Sequence, residues 1–377
     1  MTEFYAPLVV AGDRRPGELV RIERTAVRHL PDATNAWRIV YVSSDSRGEP
    51  IPVSGIVIAA GTAASSTPHP LVVYYPSFHG LGGQCAPSQQ LLTGDEPLDH
   101  IQAALDRGWT VAVPDGENLG ITGLGPHTFL AARAAGQVTL DLARASQAIP
   151  EVAQSNPGQA PIVLWGYADG GRGAVWAAEL HQEYAPELDL RGIAAGAVVT
   201  DPGALVRSAH RGPWLALTLA GMIGLSRAYH HLPLRHVLTE DGLHVVRHAE
   251  NLSAAQLLEQ YRQPLERWCQ RPDPWNDAIW RYVLTRESRA HAAAPSVPVH
   301  LYHGTHDRVV PVESGGGLFT EYRRRGVDVT WREYDTNHFR TATDSTSDVV
   351  AHLSGFLGRP APSRRANPAD RSPTDLR

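Results

Sequence analysis

The residues of this chain that could perform chemistry centre on position 168. The run Gly166-Tyr167-Ala168-Asp169-Gly170 has the frame of the Gly-x-Ser-x-Gly motif. In that motif two glycines permit a turn so tight that the central side chain stands exposed, beside backbone N–H groups that can hold an oxyanion. Such a turn presents an oxygen nucleophile for acyl transfer. Because the central residue here is Ala168, the usual acyl-enzyme cannot form on this chain.

Two further residues fit the roles of acid and base. Asp307 follows the predicted strand 297–302 in a Gly-x-x-Asp turn, and His338 follows the predicted strand 329–334. The chain order of position 168, carboxylate and imidazole is that of the α/β-hydrolases. A histidine oriented by a buried carboxylate is held in the tautomer that takes a proton from a nucleophile. We therefore predict Asp307 and His338 as the catalytic acid and base.

The histidines beside Asp307 raise the question of a metal. His303 and His306 flank this carboxylate, so a metal site is conceivable. No separate carboxylate or cysteine cluster supports one, and we predict neither a metal nor a cofactor.

Oxyanion donors and pocket walls are expected close to the turn. The glycine-rich loop 77–85 follows the apolar strand 71–75, where an α/β-hydrolase places its second oxyanion N–H. The predicted oxyanion donors are Asp169, His79 and Gly80. The predicted walls of the substrate pocket are Tyr167, Phe78 and Trp214.

The surrounding sequence predicts an α/β fold. Residues 37–42 and 52–58 are apolar runs that indicate an antiparallel hairpin at a sheet edge. Helices and strands then alternate, which predicts a mostly parallel sheet with helices on both faces. The helices are predicted at 98–107, 129–148 and 173–184, and the strands at 110–114 and 192–199, with the strand before the turn between them. We predict a core domain of residues 1–200 and 290–358, a helical cap of residues 201–289, and a disordered tail of residues 359–377.

Composition limits the partners. The formal charge is −5 and the pI about 6.4, which argues against nucleic acid, and no apolar run approaches a membrane span, which predicts no stable membrane insertion. Every basic residue is Arg, so a lysine nucleophile or Schiff base is excluded. The first residues lack the pattern of a signal peptide. We expect a cytoplasmic protein, with a secreted protein that has lost its signal peptide as the alternative, and the oligomeric state stays open.

Several motifs together resemble the secretory lipase family of α/β-hydrolases. They occur in the order found in that family: the Cys85-Ala86-Pro87-Ser88 run, Pro114-Asp115, the turn at 166–171, Tyr184-Ala185-Pro186-Glu187-Leu188, and the turns of Asp307 and His338. The resemblance implies ester hydrolysis or acyl transfer on a hydrophobic acyl ester, with Asp307 and His338 as acid and base and a helical cap over an acyl pocket. It also implies a disulfide between Cys85 and Cys269, whereas the two cysteines by themselves leave open either a disulfide or two buried free thiols. The chain departs from the family at Ala168, where serine is expected.

Three interpretations of Ala168 stay open. The first is an introduced Ser-to-Ala change that lets substrate bind without turnover. The second is a natural enzyme in which His338, oriented by Asp307, acts as general base for an addition or cyclisation in biosynthesis. The third is a pseudoenzyme that binds a ligand without turnover. A shift of the turn that made Asp169 the nucleophile is disfavoured, because it would put the bulky Tyr167 where a small residue is needed.

Overall fold

One nine-stranded sheet organises the chain. The computed structural model describes residues 3–30, 35–59, 69–154, 156, 159–209, 212–230, 232, 234–271, 273–288 and 293–359. The strands in chain order are β1 (Leu19–Thr25), β2 (Asn35–Ser44), β3 (Pro50–Ala59), β4 (Leu71–Tyr75), β5 (Thr110–Pro114), β6 (Ile162–Tyr167), β7 (Leu190–Gly196), β8 (Val299–Gly304) and β9 (Val329–Tyr334). Their order across the sheet is β1-β2-β3-β5-β4-β6-β7-β8-β9.

The sheet is antiparallel at one end and parallel over the rest. Strands β1 to β3 pair antiparallel, β3 pairs antiparallel with β5, and β5 to β9 pair parallel. Parallel neighbours need crossover connections, which the helices supply. The predicted α/β fold with a mostly parallel sheet is therefore confirmed. The predicted hairpin is also confirmed, but the sheet edge is β1, whose part-exposed residues gave no apolar run to detect.

The helices bury both faces of the parallel strands. In chain order they are α1 (Pro87–Thr93), α2 (Asp99–Leu105), α3 (Ala132–Gln147), α4 (Pro150–Gln154), α5 (Asp169–Tyr184), α6 (Pro202–Ala209), α7 (Leu215–Ala228), α8 (Glu240–Ala249), α9 (Ala254–Gln260), α10 (Ala278–Glu287), α11 (Val312–Arg324), α12 (His338–Asp344) and α13 (Thr346–Leu357). Ile162 and Leu164 of β6 pack on the side of α3 and α5. Val163 and Trp165 pack on the side of α2 and α13. Because successive side chains of a strand point to opposite faces, a strand covered on both faces reads as the continuous apolar run seen in the sequence.

Helices α6 to α10 form an insertion between β7 and β8. Their apolar residues build a separate hydrophobic cluster that includes the buried Trp268, Trp275 and Trp280, with Trp214 partly buried against it. Leu81 and Phe129 of the main domain belong to the same cluster. The insertion therefore packs on the loops that follow strands β4 and β5. We treat these helices as the predicted cap of residues 201–289. Of the predicted disordered tail, residues 360–377 lie outside the described residues.

No helix in the described part of the chain combines the length and the apolar character needed to cross a bilayer.

Candidate active site

The sharp turn predicted at position 168 is present between β6 and α5. Ala168 has φ 53° and ψ −113°, a conformation that residues with a side chain rarely adopt. A Cβ on Gly166 would lie 2.1 Å from the Gly170 carbonyl oxygen, and a Cβ on Gly170 would lie 2.0 Å from the Tyr75 carbonyl oxygen. Both glycines are therefore required by close backbone approaches. The strained geometry of a nucleophile elbow is retained although the residue at its apex has no hydroxyl.

Asp307 lies in the turn after β8, with its carboxylate fully buried. Its Oδ1 accepts the backbone N–H groups of Val309 and Val310 at 2.8 and 2.9 Å, and its Oδ2 lies 2.6 Å from Nδ1 of His338. Burial raises the pKa of Asp307, but hydrogen bonds from His303 and His338 and the backbone outweigh burial and hold this pKa well below its usual range. The carboxylate is thus ionised and aimed at the His338 ring.

His338 is the first residue of α12, a helix that the sequence analysis did not predict. Asn337 is its N-cap and accepts the N–H of Arg340 at 3.1 Å. The Tyr167 hydroxyl donates to the His338 carbonyl oxygen at 2.6 Å, and the two rings lie 5.1 Å apart between centroids. Tyr167, predicted as a pocket wall, therefore also ties the end of β6 to the start of α12. The Asn337 cap is the one sequence signal that could have revealed this helix.

The predicted oxyanion loop is fixed by the side chain of His79. Its Nδ1 contacts the Ser77 carbonyl oxygen and its Nε2 contacts the Glu96 carboxylate. Burial lowers the pKa of His79, but the hydrogen bond and charge of Glu96 together with the Ser77 carbonyl outweigh burial, so that this pKa is raised. With both ring nitrogens engaged, the His79 ring has no N–H left for a ligand, so the donors predicted in this loop are the backbone N–H groups of His79 and Gly80. Gly80 forms an isolated β-bridge with Ser253. A Cβ on Gly80 would lie 2.6 Å from backbone atoms of Leu252 and Ser253.

Asp169 is the first residue of α5. The first N–H groups of a helix have no partner within it, so the Asp169 N–H is available as an oxyanion donor. Its carboxyl side chain is buried in a small polar pocket with Glu117 and His127. Burial raises the pKa of Asp169 to about 6, the nearby Arg172 opposes the shift, and the charge of Glu287 adds to it.

The predicted pocket residues Phe78 and Trp214 pack against other aromatic rings. Phe78, near the start of the predicted oxyanion loop, stacks on Phe129 with 4.1 Å between ring centroids. Trp214 precedes α7 and lies 5.9 Å from the ring of Phe339, which packs edge-on against His338. Phe78 therefore belongs to the loop of the predicted oxyanion donors, whereas Tyr167 and Trp214 pack against the first two residues of α12, which carry the predicted base.

A buried ion pair joins the elbow helix to the insertion, and the sequence analysis did not anticipate it. Arg172 of α5 and Glu287 of α10 are 1% and 2% exposed, with 3.1 Å between Nη2 and Oε2. Arg172 also donates to the Val199 carbonyl oxygen at 2.8 Å, and Glu287 accepts the Ala132 N–H at 2.7 Å and the Tyr229 hydroxyl at 2.6 Å. Nothing in the sequence relates residues so far apart, so only the tertiary structure identifies the pair.

The disulfide implied by the family resemblance is not formed. Cys85 and Cys269 are both buried free thiols. The Cys85 Sγ faces the Leu252 carbonyl oxygen at 3.7 Å, and Cys269 lies in a short bridge with Leu238. Burial raises the pKa of Cys85 to about 11 and that of Cys269 to about 12, so both thiols stay protonated near neutral pH.

The two histidines that flank Asp307 lie in different surroundings. His306 is exposed and lies 2.8 Å from the Asp335 carboxylate, whereas His303 is buried beside Asp307. In the part of the chain that the structure describes, no group of three or more histidine, cysteine, aspartate or glutamate residues could hold a metal ion.

The sheet with an elbow after β6, a carboxylate after β8 and a histidine after β9 defines an α/β-hydrolase. The chain belongs to the secretory lipase family, whose sequence model matches residues 87–357. This is a family of lipase- and esterase-type hydrolases that act on hydrophobic esters.

Relatives over most of the chain carry lipase names. The chain is 27% identical over 355 residues to Lipase A of Arthroderma benhamiae, covering 87% of this chain and 73% of that protein. It is 28% identical over 390 residues to the Probable inactive lipase MT1628 of Mycobacterium tuberculosis, covering 96% of this chain and 83% of that protein. It is 25% identical over 316 residues to Secreted triacylglycerol lipase LIP5 of Malassezia furfur, covering 78% and 80%.

Solved structures share the fold. Candida antarctica lipase A in its closed state superposes with a TM-score of 0.83 at 20% identity, covering 94% of this chain and 85% of that one. The rice cell wall degrading esterase LipA of Xanthomonas oryzae superposes with a TM-score of 0.77 at 19% identity, covering 91% of this chain and all of that one.

Proposed function

We propose that this chain is a lipase-type ester hydrolase scaffold that binds a hydrophobic acyl ester above Ala168 and is impaired in acyl-enzyme formation. The observation that carries the proposal is the 2.6 Å hydrogen bond between Asp307 and His338, which retains a base and its orienting carboxylate beside an elbow that has lost its hydroxyl. The retained base is the reason to expect that a serine at position 168 would be activated.

The remaining parts of an acyl-transfer site support this proposal. The backbone N–H of Asp169, with that of His79 or Gly80, would hold the oxyanion of a tetrahedral intermediate. The aromatic side chains of Phe78 and Trp214 would contact the hydrophobic part of the ester. In a serine-containing form, His338 would take the hydroxyl proton and return it to the leaving alcohol, while water or a second alcohol would release the acyl group. Hydrolysis and acyl transfer share this intermediate, and exclusion of water separates them.

Ala168 removes the covalent step and leaves everything else in place. A methyl group cannot attack a carbonyl carbon, so the carboxylic ester would stay intact on the protein unless another nucleophile attacks it. The relative named a probable inactive lipase, which aligns over 96% of this chain, supports an impaired hydrolase.

A second candidate function follows from the same pair. With His338 held by Asp307 and a small side chain at position 168, the imidazole could deprotonate a water molecule or an acidic position of the bound substrate directly. The oxyanion N–H groups would then stabilise an enolate or a tetrahedral adduct, which is the chemistry of an addition or a cyclisation in biosynthesis. If no proton is moved, the chain is a ligand-binding pseudoenzyme.

The location of the protein bears on the substrate. Relatives named secreted triacylglycerol lipases favour the secreted alternative over the cytoplasmic one that we expected from the first residues. A secreted form would meet acyl esters outside the cell, whereas a cytoplasmic form would act on a biosynthetic ester. We propose no nucleic-acid partner for either form.

The test is restoration of the nucleophile. We expect Ala168→Ser to hydrolyse p-nitrophenyl esters of medium-length fatty acids at least about 10³-fold faster than the unsubstituted chain, since loss of a nucleophile from a triad costs several orders of magnitude. The double variant Ala168→Ser, His338→Gln is the matched control and should fall back to the unsubstituted rate. A folded Ala168→Ser variant without activity on a panel of acyl esters would refute the proposed hydrolase scaffold.

The second candidate has its own control in the unsubstituted chain. Any turnover that this chain shows should disappear in His338→Gln and persist in a variant of the exposed His306. Turnover that is unaffected by His338→Gln would exclude the general-base role.

A further inference from the structure

A second imidazole lies against the catalytic carboxylate. His303 is the fifth residue of β8 and is fully buried. Its Nε2 lies 3.0 Å from the Val310 carbonyl oxygen and 3.4 Å from the Asp307 Oδ2, the oxygen that His338 also contacts. Two histidine rings therefore meet at one carboxylate oxygen.

The neighbours of His303 fix the position of its proton. Both groups next to Nε2, the Val310 carbonyl and the Asp307 carboxylate, can only accept a hydrogen bond, so the Nε2 must carry the proton. The Nδ1 has no hydrogen-bond partner among the described residues. This Nδ1 faces Gly315 of α11. A Cβ on Gly315 would lie only 2.8 Å from the His303 Nδ1, so the helix approaches the ring closely on this side.

We propose that His303 is a positioning residue that acts through Asp307 on His338. Its Nε2–H links the two ends of the turn 307–310, because it donates to the Val310 carbonyl while it lies beside the Asp307 carboxylate. It shares Oδ2 with His338, so it also limits how much of the carboxylate charge the catalytic imidazole receives. The contribution of His303 to the depressed pKa of Asp307 agrees with this role. The catalytic consequence rests on the proposed base role of His338, whereas the effect on the His338 ring does not.

The experiment is ¹⁵N and low-field proton NMR of the histidine rings in the full chain with Ala168 in place. This measurement needs no enzymatic activity. Loss of the donor in His303→Leu leaves more of the Oδ2 charge for His338. We expect the Nδ1–H proton signal of His338 to move downfield, because its hydrogen bond to the Asp307 Oδ2 becomes stronger. His303→Gln keeps an N–H donor and should stay close to the unsubstituted protein.

The matched control is His300→Leu, which removes another buried imidazole from the same strand without touching Asp307. The inference is overturned if folded His303→Leu leaves the His338 signals unchanged, or if His303→Gln or His300→Leu moves them as far. Should His303→Leu not fold, the unsubstituted protein still decides, because an Nδ1-protonated His303 contradicts the proposed donor. An inactive Ala168→Ser variant with an intact NMR effect would refute the hydrolase proposal alone.

Discussion

Asp169 should make the stability of this protein fall as the pH rises, and Asp169→Asn should remove that effect. The carboxyl is buried next to the elbow, and burial raises its pKa from 3.8 to about 6. Below the pKa of the unfolded chain both states hold the proton, so Asp169 costs nothing. As the pH rises through about 6 the folded state must ionise a buried group that the unfolded state ionises freely. This difference between the folded and unfolded pKa of Asp169 corresponds to about 3 kcal/mol of folding stability, which is lost above that pH.

The assay is urea unfolding of both proteins over a series of pH values. We expect the free energy of unfolding of Asp169→Asn, relative to the unsubstituted protein, to increase by about 3 kcal/mol between about pH 4 and about pH 7.5. This comparison cancels the titration of groups that do not interact with Asp169, and it does not depend on any constant effect of the amide. Asp106→Asn, at an exposed position, reports what the same substitution does in solvent.

A difference that stays constant across this pH range would refute the assignment of a buried, protonatable Asp169. The same variant also separates the side chain from the backbone. If the backbone N–H is the oxyanion donor, Asp169→Asn in the Ala168→Ser background should keep ester hydrolysis. Loss of hydrolysis in a stable protein would show that the carboxyl group itself takes part.

Two further predictions concern the framework of the site. Ala168→Gly should raise the free energy of unfolding by about 1 kcal/mol, because glycine adopts the observed φ of 53° without strain. The control Ala103→Gly, within α2, should lower the free energy of unfolding by about the same amount. Equal effects of the two substitutions in thermal unfolding would contradict backbone strain at Ala168. Glu287→Ala should destabilise the protein by about 3–5 kcal/mol, since it leaves the Arg172 guanidinium buried without its carboxylate. A decrease in the free energy of unfolding below about 1 kcal/mol, measured by urea unfolding, would show that the ion pair does not link the elbow helix to the insertion.

Local patterns predicted the strands that are delimited by turn residues better than the strand of mixed composition at the β1 edge. Strands β5 and β9 have the predicted bounds, because each is a short, well-delimited run between turn residues. Strand β1 was not predicted, since a part-exposed edge strand mixes apolar and charged residues. Helix α12 was not predicted either, because it is short and begins soon after β9 ends.

Paired residues were predictable only where a motif linked them. Asp307 and His338 followed from the chain order behind the elbow, and the structure brings them within 2.6 Å. The pairing of Cys85 with Cys269 came from resemblance alone, and the structure holds two separate thiols. The pairing of His79 with Glu96 had no signal in the sequence, since both residues lie in loops whose relative position depends on the packed core.

The sequence by itself determined the elbow, because Gly166 and Gly170 have no Cβ and so allow the close backbone approaches of the turn. It also determined that the residue at the apex, Ala168, has no hydroxyl. It also determined the order of carboxylate and imidazole along the chain. The tertiary structure alone decided which oxygen of Asp307 faces His338, that His303 shares that oxygen, and that Arg172 and Glu287 join the elbow helix to the insertion. Those contacts depend on elements distant in sequence that are brought together by burial of the sheet, and no local pattern of residues encodes them.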